Sequence, residues 1–327
     1  MRTVIAGAGA IGAYMGALMA RQGQDVVLFA RGPHYRAMKE NGVRVVEAEG
    51  GAEFVGRPEV VDDLRNAGAA DVVFLGVKAH SLPDLAPSLK SLIGPETIFI
   101  STQNGIPWWY FQRHGGDLDG SRIERVDPGG AISAVIEARR VIGSIVYFST
   151  DVLAPGVVRH NEGNRISLGE PDGSRSERIK SIADLLIKAG MRAPVTTHIR
   201  QEIWVKLLGN MSFNPISALT GATLAKMVED PDVSVLVRNM MEEGKSVANA
   251  LGLELPVSID QRMAGAGKVG EHKTSMLQDL EAGRPLEVEA LVGAVLELGE
   301  RLNLALPHTR AVYACTKLLI RTRAAQP

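Results

Sequence analysis

The chain of 327 residues has a single cysteine, only 5% aromatic residues, and almost no net charge: 36 basic residues against 37 acidic ones, a formal −1. Each scarcity excludes something. Cys315, set among Val312, Ala314 and Leu318, permits neither an internal disulfide nor a thiolate metal site, and reads as a small buried hydrophobe in a reducing compartment. Balanced charge leaves no broad basic footprint for nucleic acid or an anionic membrane. No apolar run approaches about 18 residues, and the apolar start breaks into glycine by residue 7 without a cleavage-like ending. A cytoplasmic protein with a small-molecule partner is therefore expected. The seven histidines (34, 80, 114, 160, 198, 272 and 308) share no ligand-like spacing with one another or with an acid, so no metal is predicted. There is no G-x-S-x-G nucleophile elbow either.

What is present is 45% hydrophobic sequence rich in Val, Ile, Leu, Ala and Met, with 35 glycines, the composition of an α/β protein. The length suggests two domains. Thr3-Val-Ile-Ala6, Asp25-Val-Val-Leu-Phe-Ala30, Asp71-Val-Val-Phe-Leu-Gly76 and Thr97-Ile-Phe-Ile-Ser101 are short β-prone runs separated by helix-like segments, the pattern of buried parallel strands. Short strand and turn signals between Ile142 and Leu168 suggest a sheet extension, and a helix near Ser176–Lys188 with the run Met191–Thr197 closes the domain. Beyond about His198 the pattern is helical, most clearly over 232–251 and 286–302. The expected fold is a doubly wound parallel sheet over residues 1–198, followed by an all-α domain over 199–327. A polar, Gly-rich stretch from Gln112 to Gly130 reads as an inserted loop.

Chemistry enters first at Gly7-Ala8-Gly9-Ala10-Ile11-Gly12. This G-x-G-x-x-G follows a strand and opens a small-residue helix, the context that makes it a dinucleotide fingerprint: Gly7 for the tight turn, Gly9 for backbone approach to a pyrophosphate, Gly12 for close packing of helix on strand. After the second strand, where a ribose-binding acid is usual for NAD, stands Arg31. A guanidinium grips a 2′-phosphate that a carboxylate would repel, so NADP is preferred. Lys78 and Asn104 follow later strands, at the sheet edge where open α/β sheets bind ligands; strand capping and turn formation are the plainer readings of both. Lys206, Asn210 and Asn214 recur every fourth residue in an otherwise apolar helix, a stripe that either faces solvent or lines a cleft for an oxygen-rich ligand. With no histidine in a catalytic context, Lys206 is the candidate general acid, provided burial lowers its pKa. Pro215 predicts a break in the helix at Asn214.

These motifs, together with Val77-Lys78-Ala79, Gln103-Asn104-Gly105, Glu202-Ile-Trp-Val-Lys206-Leu-Leu-Gly-Asn210, Asn214-Pro215, Ser275-Met-Leu-Gln-Asp279 and Glu287, resemble the ketopantoate reductase family, in order and over nearly the whole chain. The resemblance implies a Rossmann-type N-terminal domain and an NADPH-dependent reduction of 2-dehydropantoate to pantoate, the precursor of pantothenate and coenzyme A. It implies that Lys206 donates the proton to the 2-oxo oxygen, that Asn210 and Asn214 orient the substrate and that Ser275 binds its carboxylate side. Glu287 would fix the nicotinamide ribose and polarise the site, Arg31 and Lys78 would hold the NADP phosphate and ribose, and Asn104 would touch both ligands. As plainer readings, Glu287 follows Pro285 in a helical first turn, where the dipole favours an acid, and Ser275 suits a helix cap.

Departures from the family bear on the substrate. Trp108-Trp109-Tyr-Phe replaces small or acidic residues and is expected to reshape the substrate mouth; Leu224 stands where some members use a substrate-contacting Asn. These changes suit a paralogue acting on another 2-oxo acid. The other readings are a β-hydroxyacid dehydrogenase, against which Ser275 and Glu287 argue, and a non-enzymatic NADP-binding protein, against which Lys206 argues. Apolar faces on the C-terminal helices fit a homodimer seam as well as packing inside the domain.

Overall fold

The computed structural model describes residues 1–48 and 51–324. Contacts divide the chain into two compact units: Met1–Gln103, Trp108–Arg122 and Gly129–Ile199 form the first, and Asn104–Pro107, Ile123–Pro128 and Arg200–Pro327 the second.

In the first unit, β1 (Thr3–Ala6), β2 (Val26–Phe29), β3 (Val43–Glu47), β4 (Glu53–Gly56), β5 (Glu59–Val61), β6 (Ala70–Leu75), β7 (Ile93–Ser101), β8 (Val141–Ala154) and β9 (Val157–Gly169) make one mixed sheet. Their order across the sheet is β4-β3-β9-β8-β7-β6-β1-β2-β5. The pairs β3/β4 and β8/β9 are antiparallel; the rest are parallel. Helices α1 (Ala10–Arg21), α2 (Gly32–Asn41), α3 (Leu82–Leu89) and α4 (Glu177–Lys188) belong to this unit. Val4, Ile5, Val27, Leu28, Val73 and Phe74 are wholly buried, which is why the central strands read as unbroken apolar runs rather than alternating ones. The chain leaves β1 through α1 to β2 on one side, and β6 pairs with β1 on the other. That reversal leaves a crevice at the strands' carboxyl ends.

The doubly wound sheet, its extension and the helical C-terminal region stand as the sequence pattern predicts. Three strands, β3 to β5, lie where the sequence suggested only helix-like connections. They are short and partly exposed, and β3 is held by its distant partner β9, a pairing no local pattern can reveal. The fragments around Val146, Gly156 and Arg165 merge into one long hairpin, β8–β9, whose pairing slips at Tyr147/Ser149 and further along. The run Met191–Thr197 adds only isolated bridges, from Arg192 to Arg165 and from Val195 to Leu168.

The aromatic run is not placed as expected. Trp109, Tyr110 and Phe111 are fully buried in the first unit and Trp108 nearly so. The Trp109 indole N–H donates to Ser101 Oγ at 2.7 Å, and its ring fills the space a side chain at Gly143 would need. Burying rings of this size outweighs any exposed role at a site entrance, because each contributes several kcal/mol to stability.

The second unit is helical: α5 (Ile199–Thr220, whose first residue belongs to the first unit), α6 (Leu224–Glu229), α7 (Pro231–Ala250), α8 (Ile259–Val269), α9 (Ser275–Glu281), α10 (Ala294–Arg301) and α11 (Pro307–Ala324). Its described residues hold no strand. Contrary to the expected break, α5 runs through Pro215. The proline forfeits one backbone bond, but Met211, Ser212, Phe213, Ile216 and Ser217 around it are buried, and their packing holds the helical path. Cys315 also differs from expectation. Thr316 and Val312 of α11 turn inward, and Cys315 beside them is exposed. Among the described residues no helix is long and apolar enough to cross a membrane.

Trp109→Ala is expected to lower the unfolding free energy by about 3–5 kcal/mol, measured by urea denaturation. A loss below about 1 kcal/mol would mean that the ring is not part of the core.

Candidate active site

The loop after β1 is shaped by three close backbone approaches. Gly7 has φ +123°, and a Cβ there would lie 2.6 Å from both the nitrogen and Cγ1 of Val77. Side chains at Gly12 and Gly76 would each strike the Gly7 carbonyl. Gly9 is different: a Cβ on it would meet nothing within 4 Å. The open space in front of Gly9 is the start of α1, whose first turn carries no acid and whose orphan N–H groups favour an anion. Ala10 and Ile11 form that first turn, and the Ala8 N–H donates to the Phe29 carbonyl at 2.8 Å, fastening the loop to the end of β2.

A cavity of about 470 Å³ opens there, lined by the loop residues Gly7, Ala8 and Gly9, by Phe29, Ala30, Arg31 and His34 from β2 and α2, and by Val77, Ser81, Asp84 and Leu85. Arg31 precedes α2 as its N-cap, and its guanidinium lies 5.0 Å from the centre of the Phe29 ring. A glycine loop with free space before it, orphan helix N–H groups and a guanidinium at the end of β2 together fit the pyrophosphate and phosphorylated ribose of NADP. Lys78 caps the short helical turn Ala79–Ser81 and is half-buried between the lining residues Val77 and Ser81. At the end of β7, Gln103 donates from Nε2 to the Leu75 and Val77 carbonyls at 2.6 and 2.9 Å, so its amide fixes the backbone next to Lys78. Asn104, half-buried, belongs with the second unit, where Ile106 N–H donates to the Ala290 carbonyl at 2.9 Å and Gly105 packs on the same carbonyl with φ +91°.

In the second unit α5 is buried on most sides by Trp204, Leu207, Leu208, Met211 and Phe213. Successive members of the stripe Lys206, Asn210, Asn214 are separated by about 6 Å along the axis and about 40° around it. Lys206 and Asn210 keep part of their surface, and Asn214 is buried. Burial pushes the Lys206 ammonium down to about 8; Glu287 opposes that fall and Arg262 adds to it. Arg262 reaches over from α8 and lies against Gly209, where any side chain would collide with its guanidinium. Gly209 thus keeps a second cation beside the stripe.

Glu287 is buried just ahead of a π-helical turn, Glu289–Gly293, the wide-turn geometry often met at functional sites. Glu289 anchors that turn: its carboxylate accepts from Lys317 Nζ at 2.6 Å, from the Tyr313 hydroxyl at 3.0 Å and from Arg125 Nη1 at 3.3 Å. Ser275 is the first residue of α9 and exposed, but the N-cap is Thr274, whose hydroxyl accepts from Leu277 N–H. The Ser275 hydroxyl is therefore not consumed in capping. Asp279, four residues on, is buried and ion-paired with Arg284 at 2.8 Å.

Each unit therefore gathers its own share of the residues singled out from sequence: Gly7–Gly12, Arg31 and Lys78 in the first, Asn104, Lys206, Asn210, Asn214, Ser275 and Glu287 in the second. Sequence reasoning passed over Arg262, which no motif marks, and over the cavity residues His34, Ser81 and Asp84. His34 lies three residues after Arg31, and that spacing on a helix is the signal that could have found it.

The fold, with this loop at its switch point, is that of a dinucleotide-dependent oxidoreductase. The family model for Ketopantoate reductase PanE/ApbA matches residues 3–108, and that for Ketopantoate reductase PanE/ApbA C terminal matches residues 198–319. The chain belongs to the ketopantoate reductase family. A 2-dehydropantoate 2-reductase from Mesorhizobium japonicum is 50% identical over 320 residues, 98% of each chain. A Ralstonia solanacearum protein of known structure superposes with a TM-score of 0.93 at 38% identity over 99% of each chain. The 2-dehydropantoate 2-reductase of Methylococcus capsulatus superposes with a TM-score of 0.83 at 30% identity, covering 100% of this chain and 99% of that one.

Carbon-13 NMR of the lysine Cε is expected to show Lys206 titrating near pH 8. Arg262→Gln removes a neighbouring cation and should move that midpoint up; Glu287→Gln removes the opposing anion and should move it down. A Lys206 that titrates as an ordinary surface lysine in all three proteins would exclude this electrostatic arrangement.

Proposed function

We propose that this chain reduces 2-dehydropantoate to pantoate with NADPH, and that Lys206 supplies the proton. The observation that carries the reading is a lysine on a buried helix, beside Glu287 and Arg262, with its pKa drawn down to about 8. A general acid works best when its pKa lies near the operating pH. Full-length similarity to a 2-dehydropantoate 2-reductase at 50% identity supports the substrate.

The bound nicotinamide supplies a hydride to the 2-oxo carbon. As negative charge develops on the carbonyl oxygen, the Lys206 ammonium stabilises it and transfers a proton, an interaction stronger in the transition state than in the ground state. Asn210 and Asn214, one and two turns along the same helix, offer amides to the substrate's oxygens, and the Ser275 hydroxyl offers a donor to its carboxylate. Glu287 favours the charged form of Lys206 and accepts from the nicotinamide ribose. In the first unit, Gly7–Gly12 with the start of α1 hold the pyrophosphate, and Arg31 and Lys78 the phosphorylated ribose. Asn104 bridges cofactor and substrate. A related branched 2-oxo acid is the second reading, favoured by Leu224, an apolar side chain in the first turn of α6 where some family members place a substrate-binding Asn.

Purified protein given NADPH and a panel of 2-oxo acids, followed at the nicotinamide absorbance, tests the assignment: fastest turnover with 2-dehydropantoate is expected, and no oxidation with any acid would overturn it. Because the acid form of Lys206 is required, kcat/KM should be full below about pH 8 and fall above it. Lys206→Ala should abolish turnover and leave NADPH binding nearly intact; retained activity would show that the proton comes from elsewhere. Arg31→Asp should weaken NADPH by roughly 100-fold, far more than NADH, since a charge-assisted pair is replaced by repulsion. An unchanged cofactor ratio would refute the phosphate role of Arg31.

A further inference from the structure

Three polar side chains that line the cofactor cavity, His34, Ser81 and Asp84, have no role in the reading above. His34 lies in the first turn of α2, and its ring lines the cavity with Ala8, Gly9 and Arg31. Its Nδ1 accepts the backbone N–H of Gly156 at 2.9 Å. Gly156 has φ +76° in the turn joining β8 to β9 and packs against Ala37 and Met38 of α2, so this acceptor is fixed by main chain. An imidazole that accepts at Nδ1 carries its proton on Nε2. That Nε2 is buried and makes no hydrogen bond of normal geometry. Among the lining residues the charged side chains are Arg31 and Asp84.

We propose that His34 is a specificity residue for the cofactor: its Nε2–H donates to the 2′-phosphate of the adenosine ribose, the group that Arg31 pairs with. The inference rests on the NADP reading of Arg31. A buried donor held only by a poorly aligned contact with the Ala8 backbone forfeits free energy in the unliganded protein, and a well-placed phosphate oxygen recovers it. Burial lowers the ring's pKa, against the pull of the Ala8 backbone, and protonation would set Nδ1–H against the Gly156 N–H. The ring therefore acts as a neutral, directed donor beside the charged fork of Arg31. A 2′-hydroxyl, being uncharged, draws less from the same donor, and that difference is the source of selectivity.

Two substitutions separate this role from support of the hairpin turn. His34→Asn keeps an acceptor near the position of Nδ1, for Gly156, but lacks the reach of Nε2. His34→Gln keeps a donor near Nε2 and gives up the acceptor. Calorimetric titration of the full chain with adenosine 2′,5′-bisphosphate and with 5′-AMP reads the phosphate contact without turnover. The expected result is that His34→Asn weakens the bisphosphate about tenfold, the loss of one hydrogen bond to a charged group, leaving 5′-AMP within about twofold and Tm close to wild type. His34→Gln should recover most of the bisphosphate affinity at a lower Tm. Equal loss for both ligands, or none for either, would overturn the role of His34. Wild-type protein that binds both ligands equally would overturn the NADP reading itself, whereas discrimination kept by His34→Asn but lost in Arg31→Asp would overturn the His34 inference alone.

Discussion

The backbone carbonyl of Gly7 is where the first unit is most tightly constrained. Gly12 of α1 and Gly76 after β6 both approach it too closely for a side chain, and Gly7 itself is pressed against the backbone of Val77. Three segments from different parts of the chain meet there without a Cβ among them. Their close approach brings α1 onto β1, sets the end of β6 beside the loop, and leaves the open space in front of Gly9 that an anion can enter. The cavity follows from it, because a side chain at Gly12 would push α1 away from the loop and one at Gly7 or Gly76 would part the loop from the segment after β6.

The second unit uses burial instead of backbone. An ammonium in water has a pKa near 10.4, and nothing in the residue type of Lys206 alters that. Its descent to about 8 comes mostly from the apolar neighbours of α5, with Arg262 pushing the same way and Glu287 pulling back. Desolvation is therefore larger than either pairwise charge, and the two charges act as a fine adjustment of opposite sign. Holding Glu287 in place then matters as much as its identity. The π-helical turn after it, anchored through Glu289 by Lys317, Tyr313 and Arg125, gives the local backbone a fixed geometry that an unanchored helix start would lack.

Much of this is legible in the sequence wherever the physics is local. The glycine loop can be read because turn, dipole and packing are all decided within six residues, and the central strands because burial on both faces makes them continuously apolar. The α5 stripe can be read because helical spacing puts polar groups in register. What cannot be read is decided at a distance. β3 exists because β9 pairs with it from more than a hundred residues away; Pro215 sits inside a helix because buried neighbours outweigh a lost hydrogen bond; Trp109 turns inward because Ser101 and Gly143 receive it. Arg262 carries no motif at all. Its guanidinium lies against Gly209 of α5, a relation between two helices that periodicity does not encode.

The same distinction explains why residue types matter unequally in the two units. Around the loop, backbone N–H groups and a helix end provide most of the attraction for an anion, so that many sequences could hold one there, and on the proposed reading discrimination among ligands falls to side chains such as Arg31 and His34. Around Lys206 the working groups are side chains whose protonation depends on their surroundings, and a change of one neighbour alters the chemistry without altering the fold. Specificity in such a protein therefore drifts most easily through residues next to the stripe, such as Arg262, while Gly12 and Gly76 tolerate no exchange because the Gly7 carbonyl leaves no room for one.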